Sequence, residues 1–501
     1  MDFLNQLVSD VNGVLWGVFF LIPLLCGTGI QVRKFGLAAR FLLGGASLFG
    51  KRADKSGMSS FQALATAVAA QVGTGNVAGT ATALVAGGPG SLFWLWVAAF
   101  FGMATIFAEA VLAQTYRTKD EQGRVLGGPA YYITLGMGEK WRPLAVFFSI
   151  AIIIALGCIG NMVQSNSIAH AMQTAFNVPA AVSGVVCAVL AGLVFFGGVG
   201  RLASVTEKIV PFMAAIYLIG GLWVIGAHIT EVIPAFRLIF VAAFDPEAVM
   251  GGALGLTVAK AMQFGVARGL FSNEAGMGST PHAHAVARVK HPAEQGLAAI
   301  IGLFIDTFIV VNMTAFVILC TGSLDGTTTG IALTQKAFTL GLGTIGNGFV
   351  AVCLLFFAFT TIVGWYFFAE QNVKYLVGVR YVSIYRVLVL AFIMAGSFLH
   401  VTLVWELADL FNGLMAIPNI IALIGLSKVV GRALEDYEKK FLAGETPEFG
   451  ELAPVPADIP RYNGAPAQDP ALEPKPQHHR RLGGLRNRFR RRPHNAQEND
   501  A

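Results

Sequence analysis

Apolar runs of twenty residues and more recur along this chain, separated by short segments that hold most of its charge. An α-helix needs about 20 predominantly apolar residues to cross about 30 Å of hydrocarbon. The pattern predicts about eleven spans, at 12–31, 59–86, 91–116, 143–172, 179–198, 208–230, 250–276, 296–322, 345–373, 383–402 and 404–427. It points to an all-α protein that threads a cell membrane many times. Two segments do not fit a span. Residues 33–52 mix basic and apolar positions, as a helix lying along the inner leaflet does. Residues 431–501 lose the apolar period and become rich in Pro, Glu and Arg. Such a tail cannot bury a core, and order is expected only in its first two turns.

The connections alternate in Lys and Arg content. One set holds Arg33, Lys34, Arg40, Lys51, Arg52 and Lys55, then Arg117, Lys119, Arg124, Lys140 and Arg142. It continues with Arg201 and Lys208, Arg288 and Lys290, and Lys374 and Arg380. The other set holds only Arg237 and Lys336, and the first eleven residues hold no basic residue. Basic loops stay cytoplasmic, so the N-terminus is expected outside and the C-terminus inside, a parity that an odd number of spans satisfies. The opening MDFLNQLVSD lacks a basic n-region, so no cleaved leader is expected. The chain then divides into a first span with its surface segment (1–58), two five-span units (59–230 and 231–430) and a basic tail (431–501).

Composition narrows the function. Of 501 residues 55% are hydrophobic and 13% charged, whereas soluble domains carry about 25% charged residues. The net charge of +6 is uneven, since nine of the 35 Lys and Arg lie in 461–501. The run RRLGGLRNRFRRRP suits anionic membrane lipid better than a nucleic acid. Cys26, Cys158, Cys187, Cys320 and Cys353 lie in apolar runs without metal spacing and read as small core residues. There is no GxxxxGK[ST] loop for ATP. No nucleophile–base or metal constellation sits at one depth, so neither an enzyme nor a cofactor is expected, and no metal beyond an alkali cation. A channel would need polar positions along a whole pore, whereas here they cluster at one depth.

That cluster lies in the second and seventh spans. Ala69-Ala70-Gln71-Val72-Gly73 and Ala261-Met262-Gln263-Phe264-Gly265 share the pattern Ala-x-Gln-apolar-Gly, each followed by more glycine and polar residues. Five spans separate the copies, and the loop pattern makes them run in opposite directions. This is the mark of a five-plus-five inverted repeat with two discontinuous helices that meet near the midplane. Within Val72-Gly73-Thr74-Gly75-Asn76 the glycines supply backbone freedom and close approach. The half-helix that starts near Thr74 offers free N–H groups to a carboxylate. Carbonyls ending the preceding half can ligate a hard cation. The pattern therefore suggests a secondary transporter for a small zwitterion coupled to a cation.

Four longer motifs carry a family resemblance over about residues 1–430. They are Val72-Gly73-Thr74-Gly75-Asn76; Gly87-Gly88-Pro89-Gly90-Ser91-Leu92-Phe93-Trp94-Leu95-Trp96; Arg268-Gly269-Leu270-Phe271-Ser272-Asn273-Glu274-Ala275-Gly276-Met277-Gly278-Ser279; and His291-Pro292-Ala293-Glu294-Gln295-Gly296 followed by Phe304-Ile305-Asp306-Thr307. The chain resembles the alanine/glycine:cation symporters (the sodium:alanine symporter family). The resemblance implies a leucine-transporter-type fold and uptake of alanine or glycine, sometimes serine or glutamine, with Na⁺ or less often H⁺ as the coupling ion. It implies that Thr74 and Gly75, beside Asn76, offer amides to the substrate carboxylate. It also implies that Gln263, Phe264 and Gly265, in the broken part of the seventh span, face the amine and side chain. The stripe Asn161, Gln164 and Asn166 is implied to face the substrate. Carbonyls of Ala69 and Val72 with the hydroxyls of Thr360 and Thr361 are implied to hold sodium. The chain departs from the family pattern at Leu95, at Ile106 and at Val311-Asn312-Met313. It departs again at Phe367-Phe368-Ala369.

Charges inside spans are costly, roughly 2.5–3.5 kcal/mol each if left in lipid. Arg268 and Glu274 suit a gate or a brace at the end of the seventh span, and Asp306 suits a structural hydrogen bond or proton coupling. Lys260 suits a pair or a snorkelling side chain. His282, His284 and His291 read as solvated residues of a cytoplasmic loop. Trp94 and Trp96 read as interfacial anchors, and Phe264 as a lid over the substrate or a core residue.

Overall fold

A computed structural model describes residues 29–43, 57–120, 123–245, 257–399 and 401–443. Most of the first predicted span, part of the surface segment and the basic end of the tail lie outside the described residues. In chain order the first elements are α1 (Ile30–Arg33), α2 (Phe35–Leu43), β1 (Met58–Ser59), α3 (Ser60–Gln71), α4 (Thr80–Ala86) and α5 (Ser91–Thr115). A two-strand hairpin, β2 (Thr118–Lys119) and β3 (Val125–Leu126), precedes α6 (Pro129–Met137), α7 (Arg142–Ile152), α8 (Asn161–Phe176), α9 (Ala180–Phe195), α10 (Gly198–Ala227) and α11 (Val232–Phe244). Then follow α12 (Val258–Asn273), α13 (Pro281–Ala285), β4 (Ala287–Arg288), α14 (Pro292–Phe304) and α15 (Asn312–Cys320). Last come α16 (Gly330–Leu342), α17 (Gly346–Val377), α18 (Val382–Gly396), α19 (Val401–Gly425) and α20 (Ser427–Leu442).

The protein is helical and passes the membrane several times. Among the described residues seven helical runs are long and apolar enough to cross, and α9 is a shorter apolar helix. Their outward faces are greasy: Trp223 is 69% exposed and Ile384 68%, as surfaces bathed in lipid tails must be. One run, Gly330–Val377, is not straight, because Gly343 (φ 68°) folds α16 back to pack along α17. Two rods are each continuous through a π-helical stretch, α7 to α8 across Ile153–Gly160 and α14 to α15 across Ile305–Val311. Such wide turns cluster at functional sites.

Two spans are made of half-helices. Helix α3 starts on a capping box: Ser59 Oγ accepts from Gln62 N, and Gln62 Oε1 from Ser59 N, both at 3.1 Å. It ends at Gln71, and the chain resumes through the π-helical stretch Gly75–Gly79 into α4. Helix α12 ends at Asn273 and the chain resumes at α13. Strands β1 and β4 pair in parallel, Met58 opposite Ala287 and Ser59 opposite Arg288, so the start of α3 is tied to the segment that follows α13. Helix α3 is walled by α10, α14 and α17, while α12 lies along α5 and along the half-span Gly75–Ala86.

The described part of the surface segment, α2, packs on α14, and Arg33 and Lys34 reach Glu438 of α20 at 3.7 and 3.1 Å. Order in the tail therefore runs further than two turns past 431. Helix α20 continues to Leu442 because Ala433 and Tyr437 are buried against the body of the protein.

Candidate functional site

The first break is short. Val72 leaves the helical region (φ −77°, ψ 89°), and the helix restarts after Thr74. Its first-turn N–H groups lack intrahelical partners, and side chains from three other elements converge on it. Gly73 N donates to Asn76 Oδ1 at 2.9 Å. Thr74 donates from both N and Oγ1 to Gln164 Oε1, at 3.1 and 2.7 Å. Gly75 needs its missing side chain, since a Cβ there would stand 3.0 Å from Phe271 Cδ1 and 3.2 Å from Ser272 Cα. Of the residues the sequence singled out, Thr74, Gly75, Asn76 and Gln164 are thus brought together in one buried cluster.

Next to the break lies a nest of oxygens. Thr361 Oγ1 is 3.0 Å from the Ala69 carbonyl, 3.4 Å from that of Val72 and 3.1 Å from that of Phe357. Thr360 Oγ1 is 2.9 Å from the same Phe357 carbonyl but turns its other side to Met213 Sδ at 3.7 Å. Thr361 joins the Ala69 and Val72 carbonyls directly, whereas Thr360 does so only through Phe357. Five neutral oxygens in contact are a fit donor set for a hard monovalent cation. Sequence reasoning missed the Phe357 carbonyl, which no side-chain pattern reports.

The second break is not where the repeated five-residue pattern put it. Helix α12 runs unbroken through Gln263, Phe264 and Gly265, and the chain departs from helix at Glu274 (φ 59°), with Gly276 (φ 86°) and Gly278 (φ 81°) completing the turn. Gly265 serves a different purpose: a Cβ there would press on the backbone of α5, 3.1 Å from Leu95 N. It is a close-packing glycine between membrane helices. The antiparallel contact of α12 with the half-span sets Phe271 and Ser272 beside Gly75, Arg268 beside Gly79, and Phe264 beside Gly87. Phe264 is therefore about 10 Å along the helix from the level of Gly75. Gln263, Phe264 and Gly265 are not brought to the first break.

Glu109 of α5 holds the second break. Its carboxylate accepts from Gly276 N at 3.2 Å, Gly278 N at 2.9 Å and Asn419 Nδ2 at 2.6 Å. Glu274 is buried within the turn, taking Trp365 Nε1 at 2.5 Å and the Ser279 hydroxyl. Of the gate and the brace that the sequence offered for Glu274, these contacts fit the brace, with Trp365 as partner. Arg268 instead pairs with buried Asp409 of α19 and lies 4.8 Å over the Trp405 ring.

Phe271, with Trp365 edge-on at 5.6 Å and Trp405 tilted at 4.8 Å, makes an aromatic wall at the first break. On α8, one turn apart and hence on one face, two buried polar atoms have no protein partner: Gln164 Nε2, a donor, and Asn161 Oδ1, an acceptor. Asn166 does not share that face. Its Nδ2 donates to the carbonyls of Gly396 and Leu399 at 2.9 and 2.8 Å, tying down the end of α18.

Other expectations divide. His282, His284 and His291 are not solvated but fully buried. They sit on or after α13, where His282 Nδ1 donates to the Ser279 carbonyl at 2.7 Å and its Nε2 takes Asn372 Nδ2 at 2.8 Å. His291 caps α14 by accepting from Ala293 N at 3.1 Å. Lys260 is exposed. Trp94 and Trp96 bind the Ala243 carbonyl at 3.1 Å and Asn312 Oδ1 at 2.6 Å, so they fasten α5 to its neighbours. Among the described residues the four cysteines are free and buried.

Comparison with known proteins bears on this arrangement. The family model described as the sodium:alanine symporter family matches residues 1–451. An uncharacterized transporter of Haemophilus influenzae is 47% identical over 442 residues, covering 87% of this chain and 96% of its own. The sodium/alanine symporter AgcS of Methanococcus maripaludis is 42% identical over 448 residues, covering 86% of this chain and 96% of its own. The amino-acid carrier protein AlsT of Bacillus subtilis is 39% identical over 450 residues, covering 89% and 95%.

Proposed function

The chain belongs to the sodium:alanine symporter family, and from that premise we propose that it imports a small neutral amino acid, alanine or glycine, together with Na⁺. The observation that carries the reading is the pairing of an amide-rich helix start with a cation-type oxygen nest on its other side. The substrate carboxylate takes the free N–H groups at Thr74 and Gly75, displacing Gln164 Oε1. The unpartnered Gln164 Nε2 and Asn161 Oδ1 offer a donor to the carboxylate and an acceptor to the ammonium. Phe271, Trp365 and Trp405 restrict the side chain to a small one. Na⁺ takes the carbonyls of Ala69, Val72 and Phe357 with the hydroxyls of Thr361 and Thr360.

One positive charge moving inward through 100 mV yields about 2.3 kcal/mol. At about 1.4 kcal/mol per decade that supports roughly 50-fold accumulation before any sodium gradient is counted. Reconstituted protein should take up labelled alanine and glycine when Na⁺ is outside, and glutamine poorly. Thr74→Pro, which deletes an amide at the helix start, should abolish that uptake. Wild-type uptake by this variant would refute the carboxylate assignment, and equal uptake with and without Na⁺ would refute the coupling.

A further inference from the structure

Away from the two breaks, α9, α17 and α18 pack together and gather bases around one carboxylate. Glu370, near the end of α17, is that carboxylate, and it is buried. Lys374 Nζ lies 2.6 Å from its Oε1, and Arg386 Nη2 of α18 lies 3.6 Å from its Oε2. The Tyr366 hydroxyl donates to the same carboxylate and accepts from Arg386 Nε at 2.9 Å. A buried charge must be paired, and one carboxylate between two bases leaves a positive charge over. Arg386 carries it. Its Nη2 is beyond hydrogen-bond reach of Glu370, and among the described residues its one hydrogen-bond partner is Tyr366.

That guanidinium turns outward. The Arg386 side chain is 20% exposed and sits 5.5 Å over the ring of Phe196, which closes α9 and is itself exposed. A second base reaches the same turn. Arg201 folds back over Gly197, where a Cβ would collide with its side chain, and its Nη1 donates to the Leu193 carbonyl at 2.7 Å. Arg201 is exposed, as is Arg380 in the turn before α18, and among the described residues neither has an acid partner. Around these bases the surface is apolar, with Leu193, Ile384 and Val387 exposed. A free anion would use the bases alone. A phospholipid uses both surfaces, its acyl chains on the apolar strip and its phosphate against guanidinium groups, whose fork matches phosphate. Basic pockets between membrane helices on the cytoplasmic side take anionic head groups in this way. The connections that bear Arg201, Lys374 and Arg380 belong to the basic set that the charge pattern assigns to the cytoplasm.

We propose that the cytoplasmic ends of α9 and α18 bind an anionic phospholipid of the inner leaflet. Arg386 and Arg201 take its phosphate, and Leu193, Phe196 and Val387 support its chains. The site reaches inward through α17. Tyr366, which joins Arg386 to Glu370, stacks on Phe195 of α9 with ring centres 3.7 Å apart. A lipid phosphate on Arg386 therefore fastens α9 and α18 to the helix that carries Thr361 and Trp365.

The test is lipid binding by the purified full-length protein in detergent, read by native mass spectrometry. The probes are phosphatidylglycerol, phosphatidylcholine and inorganic phosphate. Wild type should hold phosphatidylglycerol roughly tenfold more tightly than phosphatidylcholine. Arg386→Gln and Arg201→Gln should each lose most of that preference. Arg201 touches only a carbonyl at the protein surface, so its variant decides the matter if Arg386→Gln does not fold. Lys119→Gln removes an exposed charge from another of the basic connections and should keep the preference. The basic run in 461–501 is the same in every variant, so any lipid it attracts cancels. Inorganic phosphate at the same concentration should not displace the lipid. Equal binding of the two lipids by wild type, an undiminished preference in Arg201→Gln, an equal loss in Lys119→Gln, or displacement by inorganic phosphate overturns the proposal.

Discussion

At the residue scale, the site separates side chains that hold the breaks open from those that meet the cargo. Within the oxygen nest Thr361 touches three carbonyls at once. Thr361→Val keeps its volume and removes the oxygen, so the Na⁺ concentration for half-maximal uptake should rise roughly tenfold, the usual cost of a lost charge-assisted contact of about 1.4 kcal/mol. An unchanged Na⁺ dependence would remove Thr361 from the cation site. The aromatic wall gives a paired prediction. Phe271→Ala should raise KM for alanine at least tenfold, whereas Phe264→Ala, whose side chain sits by Gly87, should change it less than about twofold. Uptake kinetics of the two variants in the same vesicles decide the matter, and the reverse order would restore Phe264 as the lid.

At the element scale, each break is stabilised by a side chain from a helix outside the broken span. Glu109 accepts from two amides of the second break, so Glu109→Gln leaves one N–H facing an amide donor, at a cost of about 1–3 kcal/mol. Its thermal midpoint in detergent should fall by several degrees; a midpoint equal to wild type would mean the turn is held by something else. The first break was legible because Gly-Thr-Gly-Asn interrupts an otherwise apolar span, and glycine paired with polar residues has few other uses there. The second was misplaced because Gly265 is one of many glycines whose purpose is close packing, and composition cannot tell that use from a hinge. The distinguishing signal was Glu274 followed by two glycines, since a run of left-handed backbone positions cannot continue a helix. The histidines were misread for a related reason. A polar run between spans reads as a loop, yet α13 folds back into the protein interior and buries them. Asn166 was grouped with Asn161 and Gln164 by polarity, whereas the helical period sets it on another face.

At the scale of the whole molecule, the lipid-facing belt, the paired half-helices and the parallel β1–β4 tie describe a frame in which one broken span lies against the other. Among the described residues the apolar runs mark most of the long helices, because crossing a membrane demands length and hydrophobicity from a span. But α10 begins ten residues before the predicted 208, and α11 and α16 fall between predicted spans. What each helix touches depends on packing between residues far apart in the chain, which no local pattern encodes. The central claim is that this frame couples an amino acid to an inward-moving cation. Its most direct test is the accumulation of labelled alanine in proteoliposomes held at an inside-negative potential, with Na⁺ outside and then with choline in its place. The account predicts accumulation well above the external concentration only with Na⁺, increasing with the potential and collapsing when a sodium ionophore is added. Alanine that merely equilibrates, or that accumulates equally in choline, would contradict it.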